Sequence, residues 1–146
     1  MSSGRLLGMC GSLRSGSYNA KLMREAAAIF DPADFTEANL RLPLYDGDLE
    51  SADGIPAEVQ ALADGIAIAD AVIIAGPEYN KGLSGVLKNA LDWVSRTSGA
   101  PWMGKPVAIM SATAGRAGGE RTQMSLRYCM MAFRPHLLYG PEALGA

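Results

Sequence analysis

Acid–base and metal chemistry have little to draw on in this chain. It holds one histidine, His136, and two cysteines, Cys10 and Cys129, in 146 residues. These three stand far apart and in no metal-ligand spacing, so no zinc site can be assembled from them. Both thiols read as packing residues of a reducing compartment. No apolar run approaches membrane-spanning length, and the N-terminal MSSGRLL lacks the apolar core and cleavage-like end of a leader, so the expected location is cytoplasmic. Runs of one charge sign are missing as well. Thirteen basic and fifteen acidic residues are interspersed to a net charge of -2, which leaves nucleic acid and anionic membranes without an electrostatic footprint. Repeats, low-complexity tracts and linkers are absent, and with 49% hydrophobic residues one domain spanning 1–146 with its own core is expected.

What the chain does have is an unusual stretch near its start, RLLGMCGSLRSGSYNAKL. Leu6, Leu7 and Met9 read as a buried strand, Gly11 to Tyr18 as a tight loop, and Asn19 as the cap of a following helix. The loop gathers the hydroxyls of Ser12, Ser15 and Ser17 and the guanidinium of Arg14 beside the free amides of a helix N-terminus. That combination suits a phosphate dianion. A merely structural turn needs glycine and a cap but no guanidinium.

Down the chain, strand and helix alternate. A helix with Leu22, Met23, Ala26, Ala27, Ile29 and Phe30 recurring at helical spacing stops at Asp31-Pro32, and a short, partly polar strand near 35–40 suits a sheet edge. The segment Leu42 to Asp48 reads as a loop, either a pinned surface connection or part of the site. A helix runs from Pro56 to about Asp70, and Ala71 to Ala75 is an apolar run with a β-branched centre, the mark of a strand covered on both faces. Ser84 caps the next helix, which turns Val86, Leu87, Ala90, Leu91 and Val94 inward and leaves Asn89 and Trp93 elsewhere. A strand at 107–110, a small-residue loop at 111–119, a helix at 120–133 and a strand at His136 to Tyr139 complete the pattern. The order βαβαβαβαβ implies a parallel sheet wound on both sides by right-handed crossovers.

In such sheets ligands sit beyond the carboxyl ends of the strands, where the winding switches sides. The loops after the first, third and fourth strands all lie there. The first lacks both the G-x-G-x-x-G of a dinucleotide fold and the G-x-x-x-x-G-K-[ST] of a nucleoside triphosphatase, so a mononucleotide fits better. The second offers Pro77 for rigidity, Glu78 and Asn80 for polar contacts and Tyr79 for an aromatic edge. The third, nearly free of large side chains, presents amides to a carbonyl-rich ring edge. A phosphate at one end and a flat heterocycle between glycine-rich walls describe flavin mononucleotide (FMN), whose chemistry needs few catalytic side chains from the protein. Glu78 reads either as a general base or as an acceptor for nearby N–H groups. His136 is at most a minor candidate for proton transfer, and Arg116 either reaches a nucleotide phosphate or is a solvated loop arginine.

These residues also carry a family likeness. Gly11-Ser12-Leu13-Arg14, Ser17, Asn19 and Leu22 resemble the G-S-L-R-x-x-S-x-N-x-x-L phosphate loop of the NADPH-dependent FMN reductase family, which includes quinone and chromate reductases. Pro77-Glu78-Tyr79-Asn80, with Gly85, Leu87 to Ala90, Asp92-Trp93 and Ser95-Arg96, is similar to its second signature. Leu44-Tyr45-Asp46 and Gly118-Gly119 match too, so the likeness spans nearly the whole chain. It implies a three-layer flavodoxin-like fold with a five-stranded parallel sheet in the order 2-1-3-4-5 and bound FMN. It also implies NADPH or NADH as co-substrate and a small-molecule acceptor such as a quinone, flavin, azo or nitro compound or metal oxyanion. Carried over by position, the cofactor-binding set is Ser12, Arg14, Ser17 and Asn19 at the phosphate, Tyr18 in the same loop, Pro77, Glu78, Tyr79 and Asn80 along the ribityl chain and ring, and Thr113 and Gly115 on the ring's far side. A homodimer or homotetramer is implied, with Trp93 and Trp102 as interface or core residues. Relatives continue into a further helix where this sequence stops, which leaves one face of the last strand without its cover. The competing expectations are a flavodoxin-type electron carrier without its own NAD(P)H activity, disfavoured by the small net charge, and a flavin-free scaffold.

Overall fold

A computed structural model describes residues 4–140 and 142–145. Met1 to Ser3 of the N-terminal segment, Pro141 and Ala146 lie outside the described residues. The chain runs β1 (Arg5–Cys10), α1 (Tyr18–Phe30), β2 (Asp34–Glu37), α2 (Gly47–Asp53), α3 (Ala57–Ile68), β3 (Ala71–Ala75), α4 (Gly85–Val94), β4 (Pro106–Ala112), α5 (Glu120–Met130), a 3-10 turn (Met131–Phe133), β5 (His136–Leu137) and β6 (Ala143–Gly145). All strand pairs are parallel and the order is β2-β1-β3-β4-β5, with β6 also on β4.

The fifth lane of the sheet departs from expectation. In place of one strand over 136–139, β5 pairs with Pro106 and Val107 at the start of β4, and β6 pairs with Met110 to Ala112 at its end. Two short strands therefore share one edge, and among the described residues the sheet has six strands in place of the expected five. The sequence concealed β6 because three small or apolar residues are too few to show a period. Helix α2 was also unforeseen, the segment reading as a loop. It is held by its ends: the Asp46 carboxylate accepts from the Asp48 N–H at 2.9 Å, Asp48 and Glu50 occupy the positive first turn, and Gly54 closes it at φ 77. None of its residues is buried, so no apolar stripe marks it.

Period-two alternation sends side chains to opposite faces of the sheet. Leu7, Met9, Val72, Ile74, Val107 and Ile109 meet α3, α4 and α5 in the larger core, which also takes in Leu62, Leu87, Leu91, Leu126 and Met130. Among the described residues Leu6, Ile73, Ala75 and Met110 meet α1 alone of the helices, through Met23 and Ala27. Beside α1 that face stays open as an apolar cavity of about 440 Å³, lined by Phe30, Ile73, Val107 and His136 among others. Trp93 and Trp102 are both core residues. Trp93 was expected off the apolar stripe of α4. It is buried because the loop before α2 covers that side, with its Nε1 donating to Pro43 O at 2.7 Å and the Tyr45 ring edge-on at 5.0 Å. Asn89 completes the clamp, donating to Pro43 O and accepting from Tyr45 N–H. The segment 42–48 is thus a pinned surface connection. Among the described residues no helix is long and apolar enough to cross a membrane.

Candidate functional site

The loops after β1, β3 and β4 meet at the carboxyl edge of the sheet. Gly11 N–H donates to Ala75 O at 2.8 Å and Gly76 N–H to Met110 O at 3.1 Å, which carries the ladder one residue past the strands. Both glycines cross the first turn of α4. A Cβ at Gly11 would stand 2.6 Å from the Leu87 side chain and one at Gly76 2.8 Å from it, so only glycine lets the loops close over that helix. The result is an open cavity of about 670 Å³, within the range of small-molecule sites.

Ser12, Arg14, Ser17, Tyr18 and Asn19 all line its first wall. The helix cap is Ser17, two residues before the expected Asn19: its buried Oγ accepts from Ala20 N–H at 3.3 Å. Asn19 is pulled into the first turn by another partner. Its Nδ2 donates to Ala112 O and its Oδ1 accepts from Ala112 N–H, each at 2.9 Å, so its amide ties the first wall to the third. Arg14 has no carboxylate partner among the described residues and lies 5.7 Å from the Tyr18 ring centre, which also faces the Lys21 ammonium at 5.1 Å. The N–H groups of Tyr18 and Asn19 have no acceptor within the helix. An unpaired guanidinium beside a helix N-terminus is a site for an anion.

Pro77, Glu78 and Tyr79 line the second wall, which is docked on α5. Glu78 Oε2 accepts from Arg121 N–H at 3.1 Å and Thr122 N–H at 3.3 Å, Thr122 Oγ1 donates to Pro77 O, and Leu83 N–H donates to Ser125 Oγ. Helix α5 has Gly119 as its cap and no side chain of its own in that role. Glu78 supplies it from the second wall, the acceptor role that stands as its alternative to general base. Asn80 does not line the cavity. With Lys81 it forms the corner of a two-residue hairpin, at φ 51 and 68, closed by paired bonds between Tyr79 and Gly82. Asparagine suits that left-handed position.

The third wall comprises Ala112, Thr113, Ala114 and Gly145. Gly115 and Arg116 do not reach it, because the loop turns away after Ala114. Thr113 N–H, expected to face the ligand, donates instead to Gly145 O at 2.9 Å. Sequence reasoning missed Ala112, Ala114 and Gly145, whose side chains carry no chemical signal; their part is to be small. His136 lies at the other end of β4, beside the apolar cavity under α1. Among the described residues no group of three or more His, Cys, Asp or Glu side chains could hold a metal.

Known proteins resemble this chain in sequence and fold. A model of the family described as NADPH-dependent FMN reductase matches residues 5–143. The NAD(P)H-dependent FMN reductase of Pseudomonas aeruginosa is 43% identical over 142 residues, covering 96% of this chain and 76% of that protein. A quinone reductase of Escherichia coli is 41% identical over 141 residues, covering 94% and 74%. Among solved structures, the flavoenzyme NAD(P)H:(acceptor) oxidoreductase FerB of Paracoccus denitrificans superimposes with a TM-score of 0.87 at 35% identity, covering 96% of this chain and 78% of that one. On sequence and on architecture alike, this chain belongs to the NADPH-dependent FMN reductase family.

Proposed function

We propose that the chain is an FMN-dependent oxidoreductase that takes hydride from NADPH or NADH and reduces a small acceptor of the quinone, flavin, azo, nitro or metal-oxyanion class. The observation that carries this reading is the junction of an uncompensated Arg14 with a slot between Pro77 and Thr113 in one cleft of about 670 Å³. Bound FMN would supply the two-electron chemistry between the nicotinamide and the acceptor. The protein's part is to bind and orient. Arg14, the hydroxyls of Ser12 and Ser17 and the first turn of α1 hold the phosphate, while Pro77 and Tyr79 on one side and Thr113 and Gly145 on the other keep the ring in place. Glu78 is occupied with the N-terminus of α5 and moves no proton. Holding two reactants face to face accounts for most of the rate. Family membership favours this reading over an electron carrier without NAD(P)H activity.

Residues 1–146 act as one domain, since one sheet joins segments from Arg5 to Gly145. The reading as a homodimer or homotetramer is supported by an exposed apolar row, Met124 and Tyr128 on α5 and Met131 in the 3-10 turn after it, 62%, 78% and 70% exposed. The two free thiols and the nicotinamide donor fit the cytoplasm. The test is anaerobic: protein reconstituted with FMN bleaches on adding NADPH or NADH and recovers its colour with a quinone. Failure to bleach with either donor refutes the assignment.

A further inference from the structure

Gln123 is a buried polar side chain that the proposed reaction does not use. It is 1% exposed, the fourth residue of α5, with both amide hydrogens engaged. Nε2 donates to Ser111 Oγ and to Ala143 O, each at 2.9 Å, while Oε1 accepts from Arg127 Nη1 at 3.4 Å. Ser111, itself fully buried, passes its own hydrogen to Gly118 O. One amide thus joins the end of β4, the loop after it and strand β6.

Those three segments build the third wall of the cleft. β6 is three residues long, lies at the sheet edge, and ends on Gly145, which pairs with Ala112 and accepts from the Thr113 N–H; these three residues line the cavity. The junction is packed without slack: a Cβ on Gly119 would stand 2.6 Å from Ser111 Oγ, and one on Gly118 2.7 Å from Leu144 Cβ. A three-residue edge strand has too few ladder bonds to hold its own register against solvent. The bond from Gln123 to Ala143 O is a buried, directional constraint of the kind that specifies one arrangement.

We propose that Gln123 is a positioning residue for the flavin ring: by fastening β6 to β4 it sets where Ala112, Thr113 and Gly145 stand. The inference rests on the FMN reading above. It places the effect at the ring end of the ligand; the phosphate end is reached only through the Asn19 bonds to Ala112. A glutamate at this position keeps the shape but cannot donate to Ala143 O, so Gln123→Glu releases the strand, and Ser111→Ala removes half of the junction more gently.

The experiment titrates FMN and riboflavin into wild type, Gln123→Glu and Ser111→Ala by flavin fluorescence, records visible circular dichroism of the bound flavin, and follows hydrogen exchange at Thr113 N–H in the free protein. Gln123→Glu is expected to lose about tenfold in affinity for both ligands alike, to alter the dichroism and to speed exchange at Thr113; Ser111→Ala should do the same to a smaller degree and carries the test if the glutamate variant does not fold. A variant that melts lower yet keeps both affinities and the dichroism overturns the proposal, as does a loss confined to FMN. Wild type that takes up neither flavin overturns the FMN reading itself, a separate result from either.

Discussion

Arg14 and Glu78 show how one charged side chain is free for a ligand while another is spent on the fold. The guanidinium of Arg14 rests near the Tyr18 ring with no carboxylate in reach among the described residues. Arg14→Ala is therefore expected to weaken FMN by about 1.5–3 kcal/mol and to leave riboflavin, which lacks the phosphate, unchanged; parallel fluorescence titrations decide it. Glu78 accepts two N–H groups at the start of α5. Glu78→Ala should lower thermal stability by about 0.5–2 kcal/mol, the scale of a lost helix cap, with no change in the pH profile of flavin reduction by NADPH. A lost or shifted pH limb would make Glu78 a proton-transfer group after all. Asn19 was legible as a residue of the first wall, but its partner Ala112, 93 positions away, was not. A side chain's spacing reveals its neighbours in the element and never its contacts across the fold.

Among the elements, the end of α4 and the start of α2 are joined by an exposed cluster that responds to acid. Arg96 Nε donates to Glu50 Oε2 at 2.9 Å, and the Tyr45 hydroxyl donates to the same carboxylate at 2.9 Å. Hydrogen bonds from Arg96 first and Tyr45 second hold Glu50 below the ordinary carboxylate value of 4.5, and the same bond raises Tyr45. Because the folded state favours the ionised form, Glu50 stabilises the fold above the carboxylate range and stops doing so as pH falls through it. Urea denaturation of wild type and Glu50→Gln should show a stability gap near neutral pH that closes below about 4.5. A gap that persists in acid would mean packing, with no ionic origin. The sequence placed α1, α3, α4 and α5 well because each carries an apolar stripe or a cap, and missed α2 and β6 because neither does.

At the scale of the whole molecule the sheet is covered unequally. Three helices bury one face, while α1 alone meets the other beside a cavity of about 440 Å³. Ile73 and Ile74 are adjacent in β3 and point to opposite sides. Ile74→Ala should fall at the upper end of the range of about 2–5 kcal/mol for such truncations, and Ile73→Ala at the lower end. Equal losses in denaturant titrations would show that the two faces are equally packed.

The sequence by itself determined the alternation of strand and helix, the parallel order and the clustering of the unusual loops at one edge, because apolar period and glycine placement act locally and a right-handed crossover leaves little choice of topology. Only the tertiary structure decided which groups remain free for a ligand. Asn19, Glu78 and the Thr113 N–H are all held by partners from other segments, and Gly145, a residue without a side chain, became part of the wall because a distant glutamine holds its strand in place. Hydrogen-bond capacity is finite, and what a donor or acceptor has left for a ligand depends on every neighbour that folding brings to it.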